Sequence, residues 1–159
     1  MPFDPRDFLE LAEHLNGRED FPASLDDAVT RTIVGRCYYG AFLMVREHFR
    51  NLFRATTIST NFEEMVSQNA PEVHGVVKDM LSILRLESGE LLRSLRDDRN
   101  IADYRLEGSI DHEESLALVR SLVNDPLPND TILDQKIRAV TKIIGEYHER
   151  FRNRQLGRN

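Results

Sequence analysis

The sequence predicts an all-α protein, a bundle of four to five main helices with short extra helices. Two observations carry that prediction. Every strong apolar pattern repeats at the helical period, and none alternates at period two over five residues. At 159 residues the chain has the length of one domain, and a domain near that size buries roughly 68–70% of its unfolded surface. A single domain over 1–159 can therefore hold its own core.

The elements follow in order. A first helix is expected over 5–16: Asp4 caps it, Pro5 takes the first-turn position and Gly17 ends it. Ser24 with Asp27 opens a long second helix to about 54, with Asp27 a shorter substitute for the glutamate of a capping box. Residues 55–61, ATTISTN, are β-branched and polar and read as a loop. A short helix follows near 62–68, and Pro71 starts another to about 84. Ser88 opens the helix that reaches Tyr104, and a turn is expected around Gly108. Asp111 caps a helix to about 123, NDPLPND at 124–130 breaks it, and a last helix runs over 130–154.

Phase along these helices separates buried from open faces. On the long second helix Val34, Tyr38, Ala41, Val45 and Leu52 share one arc, with Phe49 at its edge. Arg36, Gly40, Leu43 and Glu47 form a roughly opposite stripe. A glycine beside an outward leucine lets another helix approach, so Arg36, Gly40 and Leu43 are a candidate dimer face; an ordinary exposed leucine and a tolerated glycine are the plainer alternative. The last helix carries Leu133, Ile137, Val140, Ile144, Tyr147 and Phe151 at alternating spacings of four and three. That stripe suits a coiled-coil seam, but closing the bundle core is its better use.

Composition excludes several classes. One cysteine, Cys37, forbids an intramolecular disulfide and suits a reducing, cytoplasmic setting. No apolar run approaches the ~20 residues a membrane span needs, so no membrane partner is expected. A net charge of −6 argues against a general nucleic-acid coat. Carboxylates at 26, 27, 63, 64, 111, 113 and 114 stand near expected helix starts, where the dipole favours them. Arginines gather at 93, 96, 99 and 105, and again at 150, 152, 154 and 158, leaving room for a local basic site. His14, His48 and His148 have no ligand spacing, so neither a metal site nor a cofactor is expected.

The helix over 88–104 holds the candidate site. Leu91, Leu92, Leu95 and Ala102 mark its buried face, and Arg99 falls on that stripe. A charge there must be paired or must face a cleft; Asp103, four residues on, is the structural partner. Arg96, Arg99, Asn100 and Tyr104 converge on one patch, a residue set suited to phosphate and ribose.

Three segments, RTIVGRCYYGAF at 31–42, EVHGVVKDML at 72–81 and RDDRNIADY at 96–104, resemble in order the HEPN family's "R…SRxYYAxF", "HxGV" and "RxxRxxADY". The resemblance spans roughly residues 25–105, about half the chain. It implies a HEPN-like antiparallel helical bundle and a homodimer with both arginine helices at a shared cleft. It also implies a setting beside a nucleotidyltransferase or another defence protein, as in toxin–antitoxin and antiviral systems. Many HEPN domains cut RNA through an Arg-x(4–6)-His motif, and many have lost it. Where active, the expected reaction is metal-independent attack of a ribose 2′-hydroxyl on the adjacent phosphate, with arginine stabilising the phosphorane and histidine moving the proton.

Starting from Arg99 and Asn100, the motif histidine belongs at 104–106, where the chain has Tyr104, Arg105 and Leu106. Arg105 has His112 seven residues on, which formally satisfies Arg-x6-His, although Gly108 and Asp111 intervene. Tyr104 is a poor substitute proton donor because its pKa lies near 10. His74 reads as a core-edge histidine with a hydrogen bond. The sequence thus favours a HEPN-like module without ribonuclease activity that binds a nucleotide, RNA or a protein partner. The alternative is an active ribonuclease toxin working through Arg99, Asn100 and Tyr104 or through Arg105 and His112.

Overall fold

The side chains of Asp111 and Asn129 each cap a helix start in this chain. In the computed structural model, residues 4–105 and 110–157 are described. They form seven helices and one 3-10 turn, with no strand among the described residues: α1 (Arg6–Asn16), the 3-10 turn (Ala23–Leu25), α2 (Asp26–Phe53), α3 (Ser59–Ser67), α4 (Glu72–Leu84), α5 (Leu86–Tyr104), α6 (His112–Asn124) and α7 (Asp130–Leu156). The all-α expectation is met as a helical bundle. The expected turn at Gly108, Leu106 at the motif position and Arg158 of the basic tail lie outside the described residues.

Three start sites are set by local chemistry. Asp4 accepts the Arg6 N–H at 2.9 Å. Asp111 Oδ1 accepts the N–H groups of Glu113 and Glu114 at the head of α6, and Asn129 Oδ1 accepts that of Ile132 at the head of α7. Three other boundaries correct the sequence reading. Ser24 lies inside the 3-10 turn, so α2 starts at Asp26. α3 begins at Ser59 rather than near 62, because Ile58 and Phe62, 6% and 0% exposed, bury one turn of a segment whose composition reads as loop. α5 begins at Leu86 rather than at Ser88, which is buried inside it. Only Arg85, in extended conformation, separates it from α4.

The chain divides into two compact units, residues 1–44 with 90–126 and residues 45–89 with 127–159. The first unit buries Ile33, Val34, Cys37, Tyr38 and Ala41 of α2, Leu92, Leu95 and Ala102 of α5, and Leu116, Val119 and Leu122 of α6. Ser115 is also fully buried and donates to Asp98 Oδ2 at 2.9 Å. Burial raises the Asp98 carboxyl above its ordinary range despite that hydrogen bond.

In the second unit the rings of Phe49, Phe53 and Phe62 pack in series, the first pair stacked and the second edge-on, with centroids 5.5 Å apart in each. α7 packs against α4 and α3. Leu133, Val140, Ile144 and Phe151 are its buried side chains, so the α7 stripe closes a core within the chain. The expected α2 arc is corrected at one end: Leu52 is half-exposed, and Phe49 and Phe53 are fully buried.

Candidate ligand-binding face of α2 and α5

The site begins with two successive tyrosines on α2 that divide between core and surface. Tyr38 is 2% exposed. Burial pushes its phenol up to about 12, against the pull of the nearby Arg96 and Arg99 charges. Tyr39 is half-buried, and its ring lies 5.4 Å from that of Tyr38. One residue of helical rotation turns Tyr39 away from the core and toward Arg99.

Arg99 is the centre of the cluster: its guanidinium is ion-paired and makes two hydrogen bonds, while its buried Nε has no hydrogen-bond partner among the described residues. Nε lies 2.6 Å from Asp103 Oδ2, which realises the helical pair expected from the sequence. Nη2 donates to the Tyr39 hydroxyl at 3.0 Å and Nη1 to Asn100 Oδ1 at 3.2 Å. The guanidinium carbon also sits 5.4 Å from the Tyr39 ring centroid and 5.5 Å from that of Tyr104. Arg99, Asn100 and Tyr104 are therefore brought together, with Tyr39 added. Arg96 stands beside them, half-buried, with its charge felt at Tyr38.

A cleft of about 240 Å³ borders this cluster, lined by Arg31, Thr32, Gly35, Arg36, Tyr39 and Asp103. Its two arginines differ. Arg31 is paired through Nε with Asp27 Oδ2 at 2.6 Å, and its Nη1 donates to the carbonyl oxygens of Ala102 and Arg105. Ala102 lies in the last turn of α5 and Arg105 directly follows the helix, and a helix leaves its last carbonyls without intrahelical partners. Arg36 packs over the Phe8 ring at 4.9 Å and makes no ion pair among the described residues. At Gly35 an added Cβ would meet nothing within 4 Å, so the cleft is open there.

The proposed dimer stripe is corrected at its centre. Gly40 is buried under α1 of the same chain: a Cβ there would lie 2.5 Å from Leu9 Cδ2 and 3.3 Å from Phe8 Cβ. The close helix approach that glycine permits is made by α1, which also covers Arg36 through Phe8. Leu43 is half-buried rather than outward.

The formal Arg105–His112 pair turns toward different neighbours. Arg105 is exposed at the end of α5, and its carbonyl accepts from Arg31. His112 Nδ1 lies 3.4 Å from Thr30 Oγ1 and its Nε2 3.8 Å from Glu113. It lines a separate cavity of about 330 Å³ with Phe21, Asp26, Thr30 and Ile33. Cys37 is fully buried and its thiol is pushed up to about 12 by burial, which removes it as a nucleophile. No group of three or more His, Cys, Asp or Glu among the described residues could hold a metal ion. No described helix is long and apolar enough to cross a membrane.

Sequence reasoning missed Arg31 and Tyr39 as cleft-lining residues and read Arg36 only as part of a dimer face. The signal for Tyr39 was present: it lies three residues after Arg36 and four after Gly35, which places all three on one helical face.

No family model matches the chain. An uncharacterized protein of Methanocaldococcus jannaschii is 32% identical to it over 111 residues, covering 66% of this chain and 65% of the relative. The chain thus spans just under two thirds of that protein's length. No solved structure matches.

Proposed function

We propose that this chain is a HEPN-like module that binds a phosphate-bearing ligand, a nucleotide or RNA, on the α2–α5 face without cleaving it. The observation that carries the reading is the unneutralised Arg36 in an open cleft beside Tyr39 and the Arg99 cluster. A guanidinium without a carboxylate retains its donors for phosphate oxygens. Arg99, by contrast, uses its donors on Asp103, Asn100 and Tyr39, so it builds the site rather than contacting the ligand first. The placement of His112 in another cavity supports the inert form of the module. The setting that goes with this reading is a toxin–antitoxin or defence pair, with a nucleotidyltransferase or related protein as partner and self-association of the module.

The test is titration of the purified chain with ATP and with a short single-stranded RNA at two salt concentrations. Binding should weaken as salt rises, and Arg36→Ala should lower affinity about fivefold or more at unchanged melting temperature. Equal affinity in wild type and Arg36→Ala would reject the site. RNA cleavage that disappears in His112→Ala would reject the inert form.

A further inference from the structure

Tyr104 closes the last turn of α5 with 73% of its surface exposed. An aromatic side chain that open is ordinarily free to rotate, but one face of this ring is held. The Arg99 guanidinium lies 5.5 Å from its centroid, and the same guanidinium lies 5.4 Å from the ring of Tyr39. Arg99 is itself fixed by Asp103, Asn100 and the Tyr39 hydroxyl. Below Tyr104, the carbonyls of Ala102 and Arg105 are tied to Arg31. The result is a cluster in which one guanidinium joins the Tyr39 hydroxyl to the Tyr104 ring, most of whose surface remains in solvent.

From this arrangement we infer that the ligand of the α2–α5 face is a single-stranded oligonucleotide, one of whose unpaired bases stacks on the outer face of Tyr104. The inference rests on the phosphate-binding reading above and narrows it. A ring backed by a guanidinium is a stacking platform: the cation beneath it draws electron density from the ring, and the face above it takes a base without regard to sequence. Tyr39 belongs both to this cluster and to the wall of the Arg36 cleft. A short strand can therefore set a base on Tyr104 and a neighbouring phosphate beside Arg36. A mononucleotide has one base and its own phosphates and gains less from two separated contacts. A duplex has its bases stacked internally and cannot offer one to Tyr104 without unpairing.

The chain provides its own optical probe. It has no tryptophan and four tyrosines, and Tyr38, Tyr39 and Tyr104 all lie in this cluster. Titration with oligoadenylate, followed by tyrosine fluorescence and by anisotropy of labelled strand, should give saturable quenching. Tyr104→Ala should weaken the oligonucleotide about fivefold to about a hundredfold, whereas Tyr104→Phe, which keeps the ring, should bind as wild type does. ATP affinity should change less than oligoadenylate affinity in Tyr104→Ala. Equal oligoadenylate binding by wild type and Tyr104→Ala, or equal binding of single strand and duplex by wild type, would overturn the stacking inference and leave the phosphate site standing. Absence of binding by any of the three ligands would instead overturn the phosphate reading, and this inference with it.

Discussion

Nη1 of Arg31 lies 2.7 Å from the carbonyl oxygen of Ala102, a residue 71 positions later in the chain. The same nitrogen reaches the Arg105 carbonyl at 2.7 Å. One side chain of α2 thereby helps to cap the end of α5. The cation also meets the negative end of the α5 dipole, and both effects favour an ordered last turn. Tyr104 stands on that turn, so the arginine at the head of the RTIVGRCYYGAF segment helps to position it.

Arg31→Ala should therefore fray the end of α5. The Arg31 side chain is 18% exposed, and hydrogen bonds of a charged donor at such a site contribute on the order of 1–3 kcal/mol. Denaturant titration should show a loss in that range, and amide exchange should accelerate at residues 103–105. Unchanged exchange there would mean that the helix end is held by something else.

Arg99→Ala should act on stability and binding together. It removes the partner of Asp103 and the donor to Tyr39, and it releases Tyr104. Asp103 is 37% exposed, so water takes over part of the lost pairing, and the stability loss should stay near 1–2 kcal/mol. Affinity for RNA should fall as well, because the Arg99 contacts no longer hold Tyr39 and Tyr104 in place. Arg36→Ala should lower affinity with little change in melting temperature. Comparing the two variants by thermal melting and titration separates a residue that builds the site from one that contacts ligand; indistinguishable effects would sink the distinction.

Two glycines with opposite surroundings should respond in opposite directions. A Cβ on Gly89 would lie 2.5 Å from Ser82 Cα and 2.7 Å from its nitrogen, so backbone must move. Gly89→Ala should destabilise by roughly 1–3 kcal/mol, more than the gain in helix propensity can offset. Gly35→Ala meets open space and should stabilise by about 0.5–1 kcal/mol. Gly35→Leu should instead fill the Arg36 cleft and weaken ligand binding. Equal melting temperatures for the two alanine variants would contradict the close crossing at Ser82.

Legibility in the sequence followed the range of the forces involved. α4 and α6 were readable because their start signals and apolar spacing lie within a few residues of one another: Pro71 and Val73, Asp111 and Glu114. The pairing of Arg99 with Asp103 was readable for the same reason. The start of α3 was not, since the burial of Ile58 comes from packing and its neighbours favour a loop. Gly40 was placed on an outward stripe, as a dimer contact or a tolerated glycine; a glycine does not announce which helix approaches it, and α1 does so. The cap from Arg31 to Ala102 and Arg105 has no local signature at all. The division of the tyrosine pair needed only helical phase, yet placing Tyr38 in the core drew attention away from Tyr39.

Tyr147 and Asp79 give a pH-dependent test of the second unit. The Tyr147 hydroxyl donates to Asp79 Oδ2 at 2.6 Å, and its ring rests on Gly75, where a Cβ would lie 2.7 Å from Cε1. Burial pushes the Asp79 carboxyl up, but the Lys78 ammonium and the Tyr147 hydroxyl outweigh it and hold the group below its ordinary range. A carboxyl held lower in the folded chain than in the unfolded one stabilises the fold above its unfolded pKa, near ~4. That contribution is lost as pH falls through the lower folded value. Tyr147→Phe keeps the ring on Gly75 and removes only the donor. Asp79 is 31% exposed, so the cost at pH 7 should be about 1 kcal/mol. It should shrink toward zero in acid, where Asp79 is protonated in wild type and variant alike. Denaturant titrations of both proteins across that range measure the difference directly, and a cost independent of pH would show that Tyr147 stabilises through its ring rather than through Asp79.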